Sequence, residues 1–306
     1  MWTELIQQSR GALHIFLPLL DNGLDGVAHN LLTGEFIALQ IKGRHESEGR
    51  LLLSLPARSL VDDGALIIAG LLKDDGLGPY LLVVDEGTFK RLAAHEVIEG
   101  KGVFVAAFTV HPTDATHWRP YLIPTDTLAT RILGAEPPPT RPSAVDDALE
   151  LEPEERHNQW LGFLGEAEVV RRLARNARLD LFRPFPDLEM VEVLVRDSLT
   201  GRFVGLQVKT GVPGAHGAAA IHVQKSTFVP SPSTFVAGLV WLPSAGEFAD
   251  ECLLIPTEHL REITTDSANH LELLFHPNSP RRTQLDPYRR RLSELGSVVG
   301  SIMAGG

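Results

Sequence analysis

The chain has one cysteine, Cys252, among 306 residues, and it has no long hydrophobic run. A single thiol forms no internal disulfide framework and provides no zinc site made only of thiolates. A membrane-spanning helix needs a run of about 18 apolar residues, and none occurs. Residues Met1–Arg10 contain no basic stretch that leads into an apolar core, so a secretory signal is not predicted. These absences favour a cytoplasmic protein without a membrane partner.

Basic residues are also few. The chain has 28 lysine and arginine residues against 39 acidic ones, which gives a formal net charge of −11. Because phosphate neutralisation supplies much of the affinity for nucleic acids, a nucleic-acid partner would need a local basic groove here. Two arginine clusters are the candidates, with an ordinary solvated face as the alternative: Arg171, Arg172, Arg175 and Arg178, and then Arg281, Arg282, Arg289, Arg290 and Arg291.

The length of the chain predicts two domains, since one domain usually has about 100–200 residues. A proline cluster at 136–147 is typical of a semi-rigid spacer, because proline fits neither a helix interior nor a central strand. We therefore predict a first domain over 1–135, a proline-rich linker over 136–150 and a second domain over 151–306. The second domain is expected to carry an arginine-rich helix near the C-terminus.

An internal repeat links the two halves. Leu31–Lys42 aligns with Ser198–Lys209 at an offset of 167 residues, and both segments contain Leu-Thr-Gly, then Phe, then Leu-Gln-x-Lys. Further matches extend the alignment, at offsets of 166, 168 and 132: Phe16 and Pro18 with Phe182 and Pro184, Ile68–Leu71 with Val236–Leu239, and Leu122–Thr125 with Leu254–Thr257. The last offset predicts an insertion of about 36 residues in the first copy.

Each copy has the pattern of a β-hairpin. One strand leads into a Thr-Gly turn, and the apolar residues of the next strand alternate up to Gln-x-Lys, which places the glutamine and the lysine on one face. A helix is predicted over Leu161–Ala177, ahead of the second hairpin, and Glu4–Ser9 is its short counterpart ahead of the first.

An acidic residue precedes the Gln-x-Lys motif at the same distance in both copies. Asp25 lies 15 residues before Gln40 and 17 before Lys42, and Glu192 has the same spacing to Gln207 and Lys209. Such a set can hold a divalent cation beside a phosphodiester, because magnesium prefers hard oxygen ligands and usually takes one or two protein carboxylates. The lysine would supply positive charge to the developing anion.

These motifs resemble the PD-(D/E)xK nuclease superfamily, and within it the Mrr-like branch that has glutamine before the lysine. Asp21–Asp25 looks like the Asp-x-Gly-x-Asp signature of that branch, and Leu39–Lys42 resembles its Gln-x-Lys strand. In the second copy, Gly165–Glu168 looks like the helix glutamate of the family, and Leu206–Thr210 is similar to the same strand. The second copy lacks the signature glycine, so Asp187, Glu189 and Glu192 stay alternatives for the acidic ligand.

The resemblance implies an α/β fold of tandem restriction-endonuclease-like domains, each a mixed central sheet flanked by helices. It implies Mg²⁺, or Mn²⁺ in its place, and a DNA substrate. Lys209 would orient or deprotonate the attacking water. The implied metal ligands are Glu166, Glu192 and Gln207 in the second copy and Glu4 and Asp25 in the first, with Gln40 and Lys42 as the further catalytic residues there.

Two main hypotheses follow. The first is an endonuclease whose second copy is the likelier active site and whose first copy is either a second site or a degenerate scaffold, with the two copies forming a pseudo-dimer within one chain. The second is a non-catalytic module that interacts with protein or nucleic acid. Hydrolysis of another phosphate substrate is a third alternative, and the choice between DNA and RNA stays open because a fold does not dictate function.

Overall fold

The computed structural model describes residues 1–19, 23–45, 50–60, 64–73, 76–109, 116–137, 153–185, 191–225 and 228–305. The protein is mixed α/β, and its chain divides into two compact units, 1–143 and 144–306. Most of the predicted linker, 138–150, lies outside the described residues. Among the helices that the structure describes, none is long and apolar enough to cross a membrane.

The first unit contains three α-helices and nine strands among its described residues. In chain order they are α1 (Trp2–Ser9), β1 (Leu13–Pro18), β2 (Gly26–Asn30), β3 (Phe36–His45), β4 (Arg50–Pro56), β5 (Leu66–Lys73), β6 (Gly76–Asp85), α2 (Glu86–Leu92), β7 (Ala94–Ile98), β8 (Lys101–Thr109), β9 (Leu122–Pro124) and α3 (Leu128–Leu133).

The second unit repeats this order with one additional strand, β15. Its elements are α4 (Pro153–Leu173), β10 (Leu179–Phe185), β11 (Val193–Asp197), β12 (Phe203–Gly211), β13 (Ala219–Gln224), β14 (Thr234–Leu242), β15 (Glu247–Phe248), β16 (Glu251–Pro256), α5 (Leu260–Ile263), β17 (Thr265–Asp266), β18 (His270–Phe275), β19 (Arg289–Arg291) and α6 (Leu295–Gly305).

Each unit has a mixed sheet and a smaller three-stranded sheet. The mixed sheet has the strand order β1-β2-β3-β5-β6-β9 in the first unit and β10-β11-β12-β14-β16-β19 in the second. In both, the third and fourth strands of the path are parallel and the other described neighbours are antiparallel. The smaller sheets are β4-β8-β7 and β13-β18-β17.

Both predicted hairpins are confirmed. The turns contain Gly34 and Gly201 at φ of 78° and 70°, in the left-handed region that favours glycine. Asn30 and Asp197 precede these turns, and each Oδ1 accepts the backbone N–H two residues on, at 3.0 Å and 2.8 Å respectively. The same side-chain cap therefore closes both turns.

The two faces of each mixed sheet are buried by different layers. In the second unit, α4 and α6 cover the face that carries Leu206 and Val208, while β13 and β18 cover the opposite face. The first unit has α1 and α3 over the face of Leu39, and β4 and β8 over the other. Side chains alternate along a strand. The glutamine and the lysine of each Gln-x-Lys motif therefore point to the sheet face that the helices do not cover.

Two of the outlying sequence matches are wrong in register. Lys42 pairs with Ala69 and Lys209 with Gly238, so β5 and β14 correspond at an offset of 169 rather than 168. A shift of one residue exchanges the two faces of a strand. The match between Leu122–Thr125 and Leu254–Thr257 joins β9 to β16, although the counterpart of β9 by sheet position is β19. The insertion of about 36 residues is therefore wrong.

A shared local structure explains the false match at offset 132. Pro124 and Pro256 each end a strand and lead directly into a short 3₁₀ helix. Proline suits this exit because its φ is fixed and it donates no backbone hydrogen bond. The letters Leu-Ile-Pro-Thr thus encode one kind of strand end at two different places in the fold.

The predicted arginine-rich C-terminal helix is also wrong. Arg289–Arg291 form strand β19, paired with β16, and the last helix begins only at Leu295. Arg289 binds Glu251 at 2.7 Å and Arg291 binds Asp250 at 3.2 Å. Asp250 and Glu251, at the start of β16, therefore hold Arg291 and Arg289 in a sheet. The predicted helix over Leu161–Ala177 is confirmed within α4, although it begins earlier and ends at Leu173.

Candidate functional site

The hairpin register explains why the spacing of acid, glutamine and lysine is the same twice. Val193 pairs with Leu206, so Glu192 lies opposite Gln207, and Lys209 lies two residues further along the same face. The first unit has the equivalent register, with Gly26 opposite Leu39. The separations of 15 and 17 residues are therefore a direct consequence of antiparallel pairing.

In the second unit, the side chain of Glu192 continues the hydrogen bonding between β11 and β12 beyond the start of β11. Its backbone N–H donates to the Leu206 carbonyl at 3.0 Å. Its Oε2 accepts the Val208 N–H at 2.9 Å, and its Oε1 accepts Lys209 Nζ at 2.9 Å. The carboxylate therefore replaces a backbone acceptor on one side and forms an ion pair on the other.

Asp25 makes the same three kinds of bond in the first unit. Its N–H donates to the Leu39 carbonyl at 2.9 Å. Oδ2 accepts both the Ile41 N–H and Lys42 Nζ, each at 2.7 Å. The two centres thus make the same backbone contacts, and they differ in the length of the acidic side chain. The longer side chain of Glu192 accepts the N–H with one oxygen and the lysine with the other.

Burial separates the two centres. The side chain of Glu192 is 12% exposed and that of Asp25 is 41% exposed. Burial raises the pKa of Glu192 above its ordinary value, because the charged carboxylate loses water, while Lys209 and the Val208 N–H act in the opposite direction. The second unit therefore contains a carboxyl that binds a proton more readily than an exposed glutamate.

The glutamine of the first unit has a structural role. Gln40 is fully buried, and its Nε2 donates to the carbonyls of Gly23, at 2.6 Å, and Ser59. Two carbonyl partners require the amide nitrogen on that side, so Oε1 points elsewhere, and it has no hydrogen-bond partner among the described residues. Gln207 is buried as well, at 3% exposure.

The predicted helix glutamates lie in different surroundings. Glu4 accepts a hydrogen bond from Gln8 Nε2 at 3.1 Å, and Gln8 in turn donates to the Thr125 carbonyl at 2.9 Å. Among the described residues, the hydrogen bonds of Glu4 go to neither Asp25 nor Lys42. The structure therefore joins Glu4 to the end of β9 rather than to the acid–lysine pair.

Glu166 lies on α4 where this helix crosses β12. A Cβ on Gly165 would come within 2.1 Å of Thr210 Oγ1, so the helix packs closely on the residue next to Lys209. Thr210 and Lys209 point to opposite faces of the strand, and so Glu166 starts from the face opposite the lysine. Its convergence with Glu192 stays a prediction. Asp187 and Glu189, and also Asp21, lie outside the described residues.

The carboxylates of the second unit bear on metal binding. Within the described part of the chain, no group of three or more His, Cys, Asp or Glu side chains could hold a metal ion. The predicted magnesium site needs only two carboxylates and an amide oxygen. Each oxygen of Glu192 accepts one hydrogen bond and has a second lone pair, so the donor chemistry fits a hard cation.

The sequence did not predict that the carboxylates of Asp25 and Glu192 accept backbone N–H groups. It also did not predict an aromatic groove beside α4. Trp241 and Phe248 line this groove, together with Arg171 and Arg172. A tryptophan at the end of an apolar strand, followed by Pro-Ser-Ala-Gly, signals a hairpin but does not reveal which helix packs against it.

Comparisons with protein-family models, curated proteins and solved structures gave no match to this chain.

Proposed function

We propose that this protein is a metal-dependent endonuclease of tandem restriction-endonuclease-like domains, which hydrolyses phosphodiester bonds in DNA at the second unit. The observation that carries the proposal is the buried Glu192 carboxyl, 2.9 Å from Lys209 Nζ, directly before the start of β11 in the mixed sheet. Buried carboxyl groups with a raised pKa beside a charged partner are concentrated at functional sites. The equivalent Asp25 centre of the first unit is then a scaffold with the same backbone bonds.

The groups of the second unit divide the work as follows. Glu192 and the amide oxygen of Gln207, which share one face of the sheet, would hold Mg²⁺ or Mn²⁺ by hard oxygen atoms. Glu166 starts from the other face, so its place among the ligands stays a prediction. A cation held there would supply polarisation of the scissile phosphate and a lower pKa for a bound water molecule. Lys209 is 26% exposed, so its ammonium can donate a hydrogen bond to the attacking water or to the charge that develops on the phosphate.

The test compares the two lysines. Lys209→Ala should abolish cleavage of a supercoiled plasmid in Mg²⁺ buffer, because the attacking water loses its positive partner, and circular dichroism should show the fold retained. Lys42→Ala is the matched control, since Lys42 makes the same bond to Asp25. We expect this variant to keep its activity. Full cleavage by Lys209→Ala would remove the lysine from the mechanism, and equal losses in both variants would assign activity to both units.

A second candidate is a non-catalytic module of the same fold that binds protein or nucleic acid. Both oxygens of Glu192 are already engaged, by the Val208 N–H and by Lys209, as in a purely structural strand end. Under this candidate, the wild-type protein cleaves neither DNA nor RNA with Mg²⁺ or Mn²⁺. Cleavage that is lost in Lys209→Ala would contradict it.

A further inference from the structure

A groove of 410 Å³ runs between α4 and the β14–β15 hairpin of the second unit. Its apolar lining is Leu164, Ala167, Trp241 and Phe248. The rings of Trp241 and Phe248 lie 5.0 Å apart at 66°, as a cross-strand pair. The groove therefore presents aromatic surface next to a helix.

The aromatic surface continues along α4 into solvent. Trp160 meets Trp241 edge to face at 6.2 Å and is 49% exposed, and Phe163 is 67% exposed. Exposed aromatic side chains are common as single residues, but a contiguous set beside a groove is typical of a binding surface. Trp160 and Phe163 therefore expose aromatic surface next to the groove.

The charges that line the groove are balanced, because Glu168 and Glu247 lie there together with Arg171 and Arg172. Arg171 and Arg172 both bind Glu168, at 2.7 Å and 2.6 Å, which holds their guanidinium groups at the edge of the groove. Arg172 also lines a second, polar cleft of 320 Å³, together with Arg175, Asn176, Ser293 and Ser297. Arg175 is exposed and has no ion-pair partner among the described residues. The groove and the cleft are therefore neighbours that share one arginine.

The groove and the acid–lysine centre lie on opposite faces of the sheet. Gly165, between the groove residues Leu164 and Ala167, packs on Thr210, which points away from the face of Lys209. Gly238 pairs with Lys209, and Trp241 follows Gly238 by three residues along β14, so the side chain of Trp241 points to the helix face. Strand binding in the groove is therefore a property separate from cleavage at Lys209.

We propose that the groove and the cleft together bind single-stranded nucleic acid, with a base stacked on the aromatic lining and its phosphate at Arg172 and Arg175. The proposal goes beyond the proposed function, because the groove lies on the face of the sheet opposite Lys209. Phosphate complements the arginines, and aromatic rings stack on bases of any sequence. A single strand is required, because the bases of a duplex are already stacked on one another and cannot enter a groove.

The test measures binding of a fluorescein-labelled oligodeoxythymidine to the full chain in EDTA, by fluorescence anisotropy. Trp241→Ala should weaken binding by roughly 5- to 100-fold, since a base loses its stacking partner. Arg175→Ala should weaken it by about 3- to 10-fold and make the dependence of log affinity on log salt shallower by about one. Because Arg175 is exposed, that variant keeps the test valid if Trp241→Ala does not fold.

Matched controls come from the same unit. Arg281 is an exposed arginine and Leu274 is a 65% exposed apolar residue, and neither lines the groove or the cleft. Arg281→Ala and Leu274→Ala should keep wild-type affinity. An equal loss in Arg281→Ala and Arg175→Ala would overturn the proposal, as would binding of a duplex of the same length at least as tightly, or no binding at low salt.

The binding assay and the cleavage assay can reject the groove and the nuclease independently of each other. Strand binding in EDTA that depends on Trp241 and Arg175, with no cleavage in Mg²⁺, would reject the nuclease and support the groove. Cleavage that depends on Lys209, with unchanged strand affinity in the groove variants, would reject the groove and support the nuclease.

Discussion

The two units place different side chains at one position of the same strand pair. In the first unit, His14 lies opposite His29 across β1 and β2. The corresponding residues of the second unit are Asp180 and Arg196, which form an ion pair at 3.1 Å. A shared backbone ladder thus accommodates two neutral imidazoles in one copy and a pair of opposite charges in the other.

The histidine pair depends on staying neutral. Burial lowers the pKa of His14 and of His29 from 6.5 to about 4, and the charge of His14 further opposes a proton on His29. His29 also stacks on Phe36, with ring centroids 4.2 Å apart. The ion pair of the second unit, by contrast, holds its charges in place with 3% exposure of the arginine side chain. Equivalent positions therefore respond differently to protons.

The acid–lysine centres show the same divergence. Their backbone bonds are alike, yet Glu192 is buried and Asp25 is substantially exposed. Backbone bonds depend on the local register, whereas burial depends on what packs over the site. The two copies of the repeat therefore keep the same hydrogen bonds, while the burial and the electrostatic environment of the acid differ between them.

The largest expected effect is acid destabilisation of the first unit. Both histidines have a folded pKa of about 4 below an unfolded value of 6.5, so their contribution is complete above pH 6.5 and is lost as pH falls toward 4. The loss is about 3 kcal/mol for each histidine. Urea unfolding at several pH values, with amide exchange in β1 and β2, measures it.

The control for this effect is the double variant His14→Phe with His29→Phe, which keeps the aromatic contacts and removes the titration. Its unfolding free energy should change less between pH 7 and 4. If the double variant loses stability as steeply as the wild type, the histidines are not the source.

A smaller effect is expected from removing each lysine. Lys209→Met leaves the buried Glu192 without its partner and should cost about 3 kcal/mol at neutral pH. Lys42→Met should cost less than about 1 kcal/mol, because water can solvate the exposed Asp25. The cost at Lys209 should shrink toward acid pH as Glu192 takes up a proton. Denaturant titration of both variants checks this order, and equal costs would show that burial does not distinguish the centres.

The smallest effect concerns the turns. Gly34→Ala and Gly201→Ala force an L side chain into the left-handed region, at φ of 78° and 70° respectively, at the same position of the two hairpins. Each change should cost about 1 kcal/mol. Thermal unfolding should give costs that agree within a few tenths of a kcal/mol; a large difference would mean that the two hairpins are not equivalent.

Local features could be predicted from the sequence because a few neighbouring residues decide them. The Thr-Gly turns and the position of the acid opposite the glutamine follow from hairpin register. Matches of three or four letters were less informative, since Leu-Ile-Pro-Thr occurs at two non-equivalent strand ends that each lead into a 3₁₀ helix. The strand formed by Arg289–Arg291 was missed because its ion pairs join residues about 40 positions apart.

The sequence by itself determined that one hairpin occurs twice and that an acid and a lysine meet at its end. These contacts are made between adjacent strands, and their spacing is set by the pleat. Only the tertiary structure decided which acid is buried, that the Gln-x-Lys side chains face away from the helices, and that Trp241 joins α4 in a groove. Burial and packing between distant segments depend on how layers stack, which no short pattern of residues encodes.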